Sequence, residues 1–225
     1  GWPLNVFLTP EKQPFFAMTY MPRERRFGTP GIIDILGEIS RLWREARPEL
    51  LRTAGLVAAH LSRETGKGRR LSRTILDAAY HELLLRFDAR DGGFGGAPKF
   101  PLPHTLLFLL RYSQLKGEER AIRMVEKTLR SMAMGGLYDQ IGSGFHRYST
   151  DTHWLVPHFE KMLYDQALHI LAYTEAYQLT GNDGYGTIAR ESLEYVLREM
   201  TAPQGGFFSA QDADIGGEEG SYYLW

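Results

Sequence analysis

The chain contains no cysteine among its 225 residues, which excludes disulfides, thiolate nucleophiles and zinc–thiolate centres within it. It also lacks net charge: 26 Lys and Arg against 27 Asp and Glu leave a formal −1. No electrostatic footprint for nucleic acid or an acidic membrane surface follows from that balance. No apolar run approaches the roughly 18 residues of a membrane span. The chain opens at Gly1 on an apolar stretch and stops in another, "GSYYLW". That reads as a piece of a longer protein, so the lack of a signal peptide says little about location. The expectation is a cytoplasmic protein without membrane or nucleic-acid partners. What is present, 43% hydrophobic and 24% charged residues, is ordinary for a globular chain.

"WPLNVFL" reads as a buried strand, "TPEKQ" as a turn and "PFFAMTY" as a returning strand. Ile32, Ile35, Leu36, Ile39, Leu42 and Trp43 then recur at helical spacing. From Leu71 the pattern is helical and alternates in kind. Leu71–Phe87 is amphipathic, with Ile75, Ala79, Leu83 and Phe87 on one side; Pro103–Leu115 is apolar over most of its circumference. Glu118–Ala133 is amphipathic through Ile122, Val125, Leu129 and Met132. His158–Leu179 is apolar nearly all round, and Tyr185–Met200 is amphipathic again.

Outer, inner, outer, inner, outer is the order of a helical toroid. The predicted fold is mainly α: a partial (α/α)6 toroid of about three hairpins, preceded by the end of an α/β unit. Inner-to-outer links are short ("KGE", "GNDG"), whereas outer-to-inner links are long and glycine-rich. Antiparallel succession places all three long loops at one mouth, where sites usually sit. "GGF", "GGL" and "GGF" at Gly92, Gly135 and Gly205 suggest one unit used three times.

Several blocks carry a resemblance. "GWPLNVFLTP" with "PFFAMTYMP", then "GGFGGAPKFPLP", "GGLYDQIGSGFHRYSTDTHWLVPHFEKMLYDQA" and "GGFFSAQDAD" with "EEGSYYLW", resemble the spermatogenesis-associated thioredoxin-domain family. The resemblance implies a thioredoxin-like remnant over 1–47, a linker helix and loop over 48–70, and the first half of a six-hairpin toroid over 71–225. It implies a cis bond at Pro3 and a cysteine motif upstream of Gly1. The toroid resembles six-hairpin glycosidases and sugar epimerases of the N-acylglucosamine type.

Candidate chemistry gathers at the mouth. On a helix from 158, His158, Asp165 and His169 fall within about 40° of one another. His158 is then an acid or base near the mouth, Asp165 its orienting group and His169 structural. Glu160, on the far side of that helix from Asp165, is not its partner. Loop acids Asp139, Asp151, Asp212 and Asp214 compete with turn stabilisation; Asp139 with Asp212 is the pair for glycoside hydrolysis. For epimerisation, His146 and His158 are the acid/base pair, with His153 as substitute. Phe94, Phe145, Tyr148, Trp154 and Phe207 offer faces to sugar rings or pack the loops. Arg147 and Lys99 are candidates to hold an anion.

Metal binding by His146, Asp151 and His153 fits no recognised spacing. "DADIGGEEG" lacks the spaced ligands of an EF-hand, and no strand precedes "GGFGG" as a phosphate loop requires. No cofactor or metal is implied. Two function classes follow. One is a carbohydrate-active protein acting as epimerase, isomerase or hydrolase on a sugar-like ligand; the other is a thioredoxin-linked redox or protein-interaction module using the toroid as platform. A prenyltransferase or terpene-cyclase toroid ranks behind both, for want of a cysteine zinc site or an acid-rich motif.

Overall fold

The computed structural model describes residues 4–26, 28–63 and 72–221; Pro3 lies outside them. The chain divides into two units, Gly1–Leu71 and Ser72–Trp225. In the first, β1 (Asn5–Leu8) and β2 (Pro14–Met18) pair antiparallel, Asn5 opposite Met18. Thr9 and Lys12 close the turn through backbone bonds. Helix α1 (Ile32–Glu45) starts where the Asp34 carboxylate accepts the Gly31 N–H at 3.2 Å, and it buries Ile35. Helix α2 (Arg47–Arg63) packs on α1 and β2 and buries Leu50 and Ala54.

The second unit holds α3 (Thr74–Arg86), α4 (Pro103–Lys116), α5 (Glu119–Met134), α6 (Leu163–Thr180) and α7 (Asp183–Glu199). Helices α4 and α6 touch each other, with α3 and α5 against α4 and with α5 and α7 against α6. That is an inner pair flanked by outer helices. Leu106, Leu109 and Leu110 of α4 and Ala172, Tyr173 and Ala176 of α6 are buried together with one face of α5: Met124, Val125, Leu129 and Met132. Gly117 and Gly181, both left-handed, end the two inner helices and turn the chain outward.

Two expectations are corrected. The core-facing side of α3 centres on buried Tyr80, with Leu76, Leu83, Leu84 and Phe87 partly buried around it; of the expected face Leu83 and Phe87 hold, while Ile75 is exposed. Tyr80 stacks on Tyr112 of α4 at 4.6 Å, which rotates the helix away from the purely aliphatic face. The larger correction concerns α6, which begins at Leu163 rather than His158. Residues 157–162 are extended instead, as β4 (Pro157–His158) against β3 (Tyr148–Ser149) and β5 (Lys161–Met162) against β6 (Ala210–Gln211). The ladder satisfies backbone groups that a helix would otherwise have used.

Candidate functional site in the three-loop cluster

Each outer helix runs into the same short hairpin. After α3 Phe87 bridges Phe94, after α5 Tyr138 bridges Phe145, and after α7 Thr201 bridges Phe207. The next residue donates its N–H back across each turn: Asp88 to Gly93 at 3.0 Å, Asp139 to Gly144 at 2.9 Å, Ala202 to Gly206 at 3.0 Å. Gly92–Gly93, Ser143–Gly144 and Gly205–Gly206 all take positive φ before the bridged Phe. The middle counterpart of "GGF" is therefore "SGF" at 143–145, not "GGL" at 135–137. Gly135 and Gly136 are small because a Cβ there would collide with the carbonyl oxygens of Trp154 and Leu155.

The first two loops each carry an aspartate–lysine ion pair around a buried lysine. Asp88 accepts the N–H groups of Arg90 and Asp91 and the Lys99 ammonium at 2.6 Å. Asp139 accepts those of Ile141 and Gly142 and the Lys161 ammonium at 2.7 Å. Lys99 sits over the Trp154 ring and Lys161 over the Tyr195 ring, at 4.9 and 4.4 Å. The third loop has Ala202 at the aspartate's position. Each lysine also bridges the following loop through its backbone, Lys99 to Ser149 and Lys161 to Gln211. The three loops are thus stitched into one layer.

A polar cluster lies in that layer. The His158 ring stacks on Tyr148 at 4.9 Å, and Tyr148 tilts against Phe100 at 4.8 Å. His158 Nδ1 is 2.7 Å from Glu219 Oε1 on the third loop, and Nε2 is 3.9 Å from Glu160 Oε2. Glu160 accepts a 2.6 Å bond from Arg147. His158 retains a quarter of its side-chain exposure. Asp165, in the first turn of α6, is buried with Oδ2 lacking a hydrogen-bond partner. Burial pushes its carboxyl up to about 7, with Arg147 opposing and Glu160 adding to the rise.

The other candidates divide. His158 is not on α6, so its orienting partner is Glu219 rather than Asp165. Glu160 is off the helix too, and lies beside His158 and Arg147. Asp139 is occupied by Lys161 and two backbone N–H groups, which overcome burial and hold its carboxyl at about 2; it is no free partner for Asp212. Asp212 accepts the Ala213 N–H and shares a hydrogen bond with Asp214 that raises the latter's pKa. His146 is buried, its Nδ1 3.1 Å from the Phe159 carbonyl, and burial lowers its pKa to about 4. His169 stacks on Phe145 at 4.2 Å and bonds the Asp165 carbonyl, a structural place.

Asp151 receives the N–H groups of His153, Leu155 and Val156, and His153 is 2.8 Å from Asp91. With His146 buried elsewhere, the trio weighed for a metal does not act as one site. Phe94, Phe145 and Trp154 are core residues, and Lys99 is fully buried, so none faces a ligand. Tyr148 is half-buried and Phe207 exposed. Glu219, Lys161 and Asp88 were missed. "FDARDGGF" set beside "YDQIGSGF" carries the signal for the two aspartates; nothing local marks Glu219, which meets His158 from 61 residues away.

Residues 1–62 match the family Thioredox_DsbH, described as a protein of unknown function, DUF255. The whole chain is 42% identical to spermatogenesis-associated protein 20 of Homo sapiens, covering 31% of that protein. Over 95% of the chain it is 38% identical to uncharacterized protein B0495.5 of Caenorhabditis elegans, covering 30% of it. Among solved structures, cellobiose 2-epimerase of Spirochaeta thermophila matches with TM-score 0.53 at 19% identity, over 62% of this chain and 40% of that one. The enzyme of the same name from Bacillus thermoamylovorans gives 0.52 at 15%, over 63% and 42%. At such identities the likeness is one of fold. The chain is therefore the end of a thioredoxin-like unit followed by part of an α/α toroid. It belongs to the family of spermatogenesis-associated protein 20 and spans about a third of those relatives' length.

Proposed function

We propose that the three-loop cluster is a carbohydrate-handling site of the epimerase, isomerase or glycoside-hydrolase kind, with His158 as its general base. The observation carrying this is the His158 imidazole, held by one carboxylate, close to a second and partly open to solvent. The toroid likeness to two cellobiose 2-epimerases supports sugar as the substrate class. Nε2 of His158 takes a proton from the substrate; Asp165, buried and poised near neutrality, is the candidate donor. Arg147 with Glu160 orients hydroxyl groups, and Tyr148 and Phe207 supply apolar faces to the ring. His146 supports the floor from below rather than exchanging protons.

A second reading, a redox or interaction protein with the toroid as platform, is favoured by the match of residues 1–62 to a thioredoxin-like family. His158→Ala in the whole protein separates the two. Loss of a positioned base costs on the order of 10²–10⁴ in rate, so sugar turnover should fall by that factor while the far-UV spectrum is kept. Turnover unchanged by the substitution contradicts the assignment.

A further inference from the structure

The third loop reaches the His158 site in a way the first two do not need. Loops one and two each hold themselves by an aspartate–lysine pair, Asp88 with Lys99 and Asp139 with Lys161. Loop three, with Ala202 in the aspartate's place, is seated by the pairing of its β6 with β5 of loop two and by contacts to α6 and α7. Tyr195 donates to Gln211 at 2.6 Å, and the Leu163 N–H to the Ser209 carbonyl at 2.9 Å. At its far end β7 (Asp214–Ile215) and β8 (Glu218–Glu219) form a hairpin. Glu219 Oε1 meets both His158 Nδ1, at 2.7 Å, and the Phe159 N–H, at 3.2 Å. Gly220 lies flat on the Phe159 ring: a Cβ there would stand 2.7 Å from Phe159 Cε2, at a φ of +74°.

We propose that Glu219 is the positioning residue of this site, delivered by the seating of the third loop, and that it fixes His158 as the Nδ1–H tautomer with Nε2 bare toward the ligand. The chemistry is directional. A backbone N–H only donates, so the Phe159 contact obliges Oε1 of residue 219 to be an acceptor. The imidazole nitrogen sharing that oxygen must then carry the proton, and the other nitrogen becomes the base. An unconstrained neutral imidazole in water prefers the opposite, Nε2–H, tautomer. Without Glu219 the ring would present a proton where the proposed reaction needs a lone pair.

The inference rests on His158 being the site's base, yet its test reads the imidazole alone and needs no substrate. Long-range ¹H–¹⁵N correlation spectra of the full chain, recorded near pH 9 where histidine is neutral, report which ring nitrogen of His158 bears hydrogen. The expected result is Nδ1–H in the unmodified chain and conversion to mainly Nε2–H in Glu219→Ala. Glu219→Gln should keep Nδ1–H, because the Phe159 N–H still orients an amide oxygen toward the ring. Gly220→Ala should behave as Glu219→Ala although the carboxylate is intact, since the new methyl lifts the loop from Phe159. Nε2–H in the unmodified chain, or a tautomer indifferent to Glu219→Ala, overturns the proposal. A Gln variant that loses Nδ1–H, or a Gly220→Ala chain that keeps it, overturns the delivery by the loop. If the tautomer pattern holds and no sugar is turned over, the positioning stands and the carbohydrate reading falls.

Discussion

Asp165 sits in an environment that opposes its ordinary chemistry. Its carboxyl is pushed up to about 7, chiefly by burial, against about 3.9 in an unfolded chain. The fold therefore favours the neutral acid. That contribution is complete below about pH 4 and is lost as pH rises through 7, where a charge must be carried in the interior. Asn mimics the neutral acid at every pH. Asp165→Asn should thus be neutral near pH 4 and stabilising by about 1–3 kcal/mol near pH 8, measured by denaturant unfolding. A variant less stable than the parent at pH 8 would mean that the ionised carboxylate is held by Arg147. His146 and His169 run the other way. Burial lowers both to about 4, so their contribution is full above about 6.5 and fades as pH falls through 4.

At the scale of elements, the loop repeat is the organising feature, and it was half legible. Helix kinds and order follow from apolar spacing, because the one-sided burial of α5 and the broader buried face of α4 impose different patterns on the sequence. The start of α6 was not legible. "PHFEK" opens on a proline that suits a helix start and runs into "MLYDQA" with no turn residue between them; only its pairing with Tyr148 and with Ala210–Gln211, brought from distant loops, selects extended backbone. The wheel relating His158 to Asp165 failed for that reason. The glycine doublets were visible, but the middle one was matched to the wrong loop position, since positive φ falls on Ser143–Gly144.

The Asp139–Lys161 pair illustrates what a buried staple does. Burial lowers the Lys161 pKa even with its partner present, while Asp139 is held at about 2. Breaking the pair is another matter. Asp139→Asn or Lys161→Met alone should each cost about 3–5 kcal/mol by stranding a buried charge, and the double variant should recover most of that. Equilibrium unfolding of the three variants checks it; additive losses would mean that the two groups do not share one interaction.

For the whole molecule, two units are joined in a chain that spans about a third of its curated relatives. No helix among the described residues is long and apolar enough to cross a membrane. The layer formed by the three repeated loops is proposed to handle sugars through His158. The most direct measurement is thermal unfolding of the intact protein carrying this chain, against a panel of free and phosphorylated mono- and disaccharides. A ligand present at 100 times its dissociation constant adds about 2.7 kcal/mol to stability. The account requires such a rise in Tm with one sugar class and its loss in His158→Ala. No rise with any sugar, or a rise that survives the substitution, would contradict it.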